Sequence, residues 1–217
     1  GCLMKKNGKA TKVLVSGAQG QLGKDILDCF SGEYEVIGFG RDKWDVTNDE
    51  QSHTLLYLNK PDVLIHCAAY TNVDISEQRA DVAYLINVNA TRTLAGLCNK
   101  AGIRFVYIST DYVFDGLSPR GYTEEEFPHP LNVYGRTKRL GEKWAARCCN
   151  NHLIVRTSWL YGKRGSNFVK SILEKAQRKE TLSVVTDQVG SPTFTLHLAR
   201  HLLLLLRTSA TGIFHLA

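Results

Sequence analysis

This chain of 217 residues reads as an α/β protein: a doubly wound, Rossmann-like parallel sheet followed by part of a C-terminal substrate lobe. Two observations carry that reading. Short, near-continuously apolar runs alternate with longer helical stretches, the pattern of parallel strands covered on both faces. Three glycines, Gly17, Gly20 and Gly23, stand between the first apolar run and the first helix, where such a sheet receives a dinucleotide. Right-handed crossovers between successive strands then wind the helices onto both faces.

The elements follow in order. KVLVS at 12–16 is a buried strand, and a helix runs from the glycines to about residue 30. A second strand is expected at 34–38 and a helix at 48–58, capped by Thr47 or Asn48. DVLIH at 62–66 is the third strand, and one long helical stretch covers 76–101. RFVYIS at 104–109 is the fourth strand, 132–149 a helix and 153–156 the fifth strand. Beyond Thr157 the rhythm loosens, with a helix expected at 167–178, a strand at 182–185 and a helix at 194–206. GIFHLA at 212–217 reads as a strand just begun. The expected organisation is a disordered or expression-derived segment at 1–11, a dinucleotide-binding domain with the catalytic residues at 12–157, and a mixed region at 158–217 that includes part of a truncated substrate lobe.

Composition narrows the partners. Apolar residues make up 43% and charged residues 22%, as in ordinary globular proteins. A net charge of +6 without a basic cluster suits an anionic nucleotide and argues against nucleic acid. The six cysteines form no C-x-x-C pair, and adjacent Cys148 and Cys149 suit neither a metal site nor an easy disulfide, so they read as reduced thiols of a cytoplasmic protein. The N-terminus carries no secretory pattern. The leucine run at 202–206 is far below the ~20 residues that span a bilayer, which leaves a buried amphipathic helix and no membrane partner.

The glycine turn fits a pyrophosphate: the N–H groups of a helix N-terminus face the anion, and any Cβ at closest approach would hold it away. After the second strand, Arg41 suits a 2′-phosphate and so NADPH, whereas the adjacent Asp42 would suit NADH. Tyr134 and Lys138 form a Y-x-x-x-K at the start of a helix, on one face. Tyrosine titrates near ~10 in water. A neighbouring ammonium, together with an oxidised nicotinamide, favours its phenolate, and the pair offers proton transfer beside a hydride donor. The spacing is cheap in a chain with nine tyrosines. Thr110, at the fourth strand's C-terminal end, adds a hydroxyl for a carbonyl oxygen, or alternatively one that satisfies a turn.

These blocks together resemble the extended short-chain dehydrogenase/reductase family, and within it the reductases of dTDP-4-dehydrorhamnose. The likeness lies in GAQGQLG at 17–23, CAAYTNVD at 67–74, STDYVFDG at 109–116, PLNVYGRTK at 130–138, RTSWLYG at 156–162 and DQVGSPT at 187–193. It implies hydride transfer from NADPH or NADH to the C4 ketone of dTDP-4-dehydro-6-deoxy-L-mannose, giving dTDP-L-rhamnose. Tyr134 would protonate the alkoxide, Lys138 would orient the nicotinamide ribose and tune Tyr134, and Thr110 would hold the ketone. Gln21 and Leu22 match cofactor contacts in the glycine loop, Asp45 and Val46 the adenine side, and Ala69, Tyr70 and Thr71 the stretch after the third strand. Asp111 and Trp159 match substrate contacts; Trp159 equally suits a core aromatic. Related sugar-nucleotide dehydratases carry Thr-Asp-Glu where this chain has Thr110-Asp111-Tyr112, which argues against water elimination. Some family members use Mg²⁺ near a homodimer interface. Asp25 matches that position but reads, on the residues alone, as a solvated helix charge. Family members continue past the equivalent of Ala217 into a lobe that closes over the sugar nucleotide. Two alternatives share these features: a non-catalytic, dinucleotide-binding regulatory subunit like the β subunit of methionine adenosyltransferase, and a reductase of another nucleotide-bound keto-sugar.

Overall fold

The computed structural model describes residues 10–165, 167–179, 181 and 188–217. Six parallel strands form the main sheet in the order β2-β1-β3-β4-β5-β8. They are β1 (Lys12–Ser16), β2 (Glu35–Phe39), β3 (Val63–His66), β4 (Arg104–Thr110), β5 (His152–Thr157) and β8 (Gly212–His215). The period-2 pattern of each strand divides its side chains between two cores. Val13, Val15, Val63, Ile65, Val106, Ile108, Leu153 and Val155 face one side. Leu14, Leu64, Phe105, Tyr107 and Ile154 face the other. Both faces are covered, as the uninterrupted apolar runs require.

Helix α1 (Gln21–Phe30) and helix α8 (Thr195–Leu206) cover the first face through Leu22, Ile26, Phe30, Leu198, Leu202 and Leu206. Helix α2 (Asp49–Asn59), helix α5 (Thr91–Ala101) and helix α6 (Val133–Cys148) cover the second. Caps fix where helices start. Asn48 accepts from Gln51 N and Asn132 from Gly135 N, at 2.9 and 2.7 Å, so Asn48 rather than Thr47 caps α2.

The stretch expected as one helix at 76–101 is several. Helix α3 (Val73–Gln78) breaks at Arg79, whose φ of −125° and ψ of 50° leave the helical region. Helix α4 (Ala80–Tyr84) passes through a π-helical turn, Leu85–Ala90, into α5. The wide turn carries Asn87, whose side chain is wholly engaged outside the helix, and such turns favour functional positions.

Residues 212–215 add a strand to the sheet beside β5. β8 pairs in parallel with β5, Leu153 against Gly212 through Arg156 against His215. Arg104 at the start of β4 donates to the carbonyls of Leu206 and Thr208, at 3.2 and 2.8 Å, and to that of Ala210, which caps the end of α8. Leu202, Leu203 and Leu206 are buried while Leu204 is half exposed, the amphipathic arrangement expected of the leucine run. Among the described residues no helix is long and apolar enough to cross a membrane. Between β5 and α8 lie helix α7 (Phe168–Gln177) and a two-stranded parallel pair, β6 (Leu160–Tyr161) with β7 (Thr193–Phe194), too short for periodicity to reveal. The strand expected at 182–185 and the segment at 1–9 lie outside the described residues. The cysteines among the described residues, Cys29, Cys67, Cys98, Cys148 and Cys149, are free thiols.

Candidate active site

Strand order reverses between β2-β1 and β3, and the crevice at that switch point opens above the C-terminal end of β1. The glycine turn lies there. Gly17 has φ +68°, and a Cβ on it would stand 2.6 Å from Ala68 N. A Cβ on Gly23 would stand 2.5 Å from Gly17 O. Neither position admits a side chain, so the loop backbone packs directly on the segment after β3 and on the first turn of α1. That helix begins at Gly20 with no side-chain cap and no acidic residue in its first turn. Its leading N–H groups and positive dipole end are therefore open to an anion, the environment a dinucleotide pyrophosphate needs. Gln21 accepts from Asn167 Nδ2 at 2.8 Å, and Leu22 is buried in the first core.

The adenosine side is polar and open. Arg41 is exposed, and Asp42 accepts from Gln19 Nε2 at 2.7 Å. Asp45 accepts from the N–H and hydroxyl of Thr47, which with the Arg41 charge hold its carboxyl below the ordinary range. Val46 points into the second core, leaving its backbone as the part that can face a ligand. Ala69, Tyr70 and Thr71 follow β3 as a loop pinned by Asn87. The Asn87 side chain accepts from Tyr70 N at 2.8 Å and donates to Tyr70 O and Thr137 Oγ1, both at 3.1 Å.

Tyr134, Thr110 and Asp111 meet at the C-terminal end of β4. Thr110 Oγ1 accepts from Tyr112 N at 3.2 Å, donates to Asp111 at 3.0 Å and hydrogen-bonds with the Tyr134 phenol. Thr110 thus serves the turn and the tyrosine together. A Cβ on Gly135 would fall 2.1 Å from Tyr112 O, so the first turn of α6 presses on that same turn.

Burial dominates the electrostatics of this site. The Tyr134 phenol is pushed well above its ordinary value, chiefly by desolvation, which the Thr110 hydrogen bond offsets only in part. Lys138 does not depress it. The Lys138 Nζ lies over the Tyr107 ring, 4.2 Å from its centroid, and donates to Ile108 O at 2.7 Å. Desolvation lowers the Lys138 pKa to about 7, against the opposing pull of Glu142. Burial also raises that of Asp111.

Trp159 lies one residue beyond Ser158 in the β5–β6 loop, with φ +43°. A residue with a Cβ is strained in the left-handed region, and strain of that kind concentrates at ligand sites. Its ring stands edge-on to Phe168, centroids 6.0 Å apart, and leaves no room for a Cβ on Gly190. Asp25 is not solvated: it is buried and accepts from Thr195 Oγ1 at 2.5 Å, because α8 lies over α1. Among the described residues no three His, Cys, Asp or Glu side chains gather as a metal site.

Asn87 and Glu142 escaped the sequence reading. Asn87 was hidden by its distant partners. Glu142 had a signal, since Arg156 sits inside an otherwise apolar strand and a buried guanidinium needs a buried acid.

Comparison with known proteins agrees with this geometry. The family model described as the RmlD substrate binding domain matches residues 11–217. A dTDP-4-keto-6-deoxy-D-glucose reductase of Streptomyces niveus is 40% identical over 93% of this chain and 71% of its own length. A dTDP-4-dehydrorhamnose reductase of Aggregatibacter actinomycetemcomitans is 38% identical over 85% of this chain and 63% of its own. The crystal structure of a dTDP-4-dehydrorhamnose reductase from Bacillus anthracis in complex with NADP superposes with a TM-score of 0.93. It is 42% identical, over 96% of this chain and 75% of that one.

Proposed function

The chain belongs to the RmlD substrate binding domain family, and from that membership we propose that it reduces the C4 ketone of dTDP-4-dehydrorhamnose to give dTDP-L-rhamnose with NADPH. The observation that carries this reading is the meeting of Thr110 with Tyr134 at the end of β4, one helical turn from Lys138. When bound, NADPH supplies a hydride. The uncapped N-terminus of α1 would hold its pyrophosphate, Arg41 its 2′-phosphate, and the loop of Ala69, Tyr70 and Thr71 the stretch between.

The residues then divide the work. Thr110 would orient the ketone oxygen by turning its one hydroxyl proton from Asp111 to it. Tyr134 gives its phenolic proton to that oxygen as alkoxide character develops. Burial raises the phenol above its ordinary pKa, so it carries the proton that it would give to the alkoxide. Lys138, fixed on Ile108 O, stands one helical turn away. Asp111 and Trp159 would contact the sugar nucleotide. Within the mixed region 158–217, α8 and β8 serve the dinucleotide sheet, so the substrate-side contribution falls in 158–194, with Trp159 foremost. The free thiols suit a cytoplasmic, reducing compartment.

A second reading, reduction of a differently configured dTDP-bound 4-keto-sugar, is favoured by the name of the Streptomyces niveus relative; assay of both ketosugars side by side separates the two. For the chemistry itself, Tyr134→Phe is expected to lower kcat by about 10²–10⁴-fold, the usual weight of a general acid, with NADPH affinity retained. Turnover undiminished in Tyr134→Phe would remove the tyrosine from the mechanism.

A further inference from the structure

Helix α6 carries a third polar side chain on the stripe of Tyr134 and Lys138. Glu142 follows them at i+8 and i+4, so all three line one helix face. Glu142 is fully buried. Its Oε1 accepts from Ser109 Oγ at 2.6 Å and Arg156 Nε at 2.8 Å. Its Oε2 accepts from Arg156 Nη2 at 2.9 Å and Arg139 Nη1 at 2.8 Å. Beside it, Lys138 Nζ donates to Ile108 O, and the Tyr107 hydroxyl donates to Lys138 O at 3.4 Å. Helix and strand are thus stitched at Tyr107, Ile108 and Ser109, the three residues that lead into Thr110. Apolar residues could have filled this space without loss of stability, since burying an ion pair seldom adds any.

We propose that Glu142 is a positioning residue for the catalytic pair: it locks α6 against the end of β4, so that Tyr134 meets Thr110, and its carboxylate favours the ammonium form of Lys138. The proposal rests on the reductase reading above for its consequence in catalysis. The groups around Lys138 leave Glu142 as the charge of the required sign. From β3, His66 is neutral, its pKa driven to about 3 by burial and by Lys138, and the Cys67 thiol is pushed up to about 12. From β4, the Tyr107 phenol is raised well above its ordinary value. From α6 itself come Tyr134 and Arg139, and from β5 Arg156 behind the carboxylate. Asp111 and Tyr112 of the turn after β4 face Tyr134 instead. On α3, Glu77 accepts from Val133 N at the far end of α6, and Asp74 acts on Tyr112. On α5, Arg92 stacks on Trp144, and on α4 Asp81 pairs with Arg79.

Glu142→Gln removes the negative charge and leaves Arg139 and Arg156 uncompensated, and both changes disfavour a second cation nearby. The test is to titrate the Lys138 side chain by NMR in protein with ¹³C-labelled lysine, its signal assigned with Lys138→Met, and to follow NADPH oxidation over the same pH series. In Glu142→Gln the Lys138 midpoint is expected to fall by about one pH unit or more, and the alkaline limb of kcat to move down with it. Ser109→Ala, which loses a hydrogen bond but keeps the carboxylate, leaves the midpoint in place. Arg139→Gln, at the rim of the cluster, raises it, and carries the test if Glu142→Gln does not fold. An unmoved midpoint in Glu142→Gln, or a lowered one in Arg139→Gln, overturns the proposal. A merely structural role would slow turnover without moving either midpoint. The NMR titration reads Lys138 without substrate, so a displaced midpoint in a protein that never reduces the ketosugar would sink the reductase reading and leave the Glu142–Lys138 coupling standing.

Discussion

At Tyr134, burial sets the protonation of the phenol. Desolvation raises the phenol, and the Thr110 hydrogen bond offsets that only in part. Arg41 makes the other residue-scale statement. It stands exposed beside Asp45, while Asp42, the alternative that would favour NADH, is engaged by Gln19. Arg41→Ala is therefore expected to weaken NADPH about tenfold relative to NADH, equivalent to ~1.4 kcal/mol for one charge-assisted contact. Dissociation constants for the two cofactors in both proteins check this, and an unchanged ratio would remove Arg41 from the 2′-phosphate site.

At the scale of elements, what was legible in the sequence was local. The glycine turn between β1 and α1, the cap at Asn132 and the stripe of Tyr134 and Lys138 each depend on neighbours within a few residues, so spacing alone discloses them. What escaped depends on partners far along the chain. Asp25 is held by Thr195, Glu142 by Arg156 and Ser109, and Asn87 by Tyr70 and Thr137. The expected helix at 76–101 breaks at Arg79 and widens into the π-helical turn where the Asn87 side chain reaches the loop after β3. His66 joins elements in the same way. Its ring contacts Ser16 Oγ of β1 at 2.7 Å and Thr91 Oγ1 of α5 at 3.3 Å. Its pKa is lowered to about 3 from an ordinary 6.5, mainly by burial. Between those two values the unfolded chain takes up a proton that the folded chain does not. Stability therefore falls as pH drops from 6.5 towards 3, by up to about 1.4 kcal/mol per pH unit. Urea midpoints across that window should decline less steeply in His66→Gln than in the parent protein; parallel slopes would mean that other groups govern the acid limb.

Across the whole molecule, two cores share one sheet, and the site lies where their loops converge at the C-terminal strand ends. β8 and α8 tie the last residues into that sheet rather than leaving them as an appendage. The dinucleotide platform, with its glycine cradle at one end and Thr110, Tyr134 and Lys138 at the other, is therefore built within this chain. The central claim is that this platform transfers hydride to a dTDP-bound 4-keto-sugar. The most direct measurement is NADPH consumption by this protein with dTDP-4-dehydrorhamnose, with the product identified by chromatography against dTDP-L-rhamnose. The account predicts stoichiometric loss of NADPH and appearance of dTDP-L-rhamnose, both abolished in Tyr134→Phe. Tight NADPH binding with no ketosugar reduced by the parent protein would contradict it and point instead to a dinucleotide-binding, non-catalytic role.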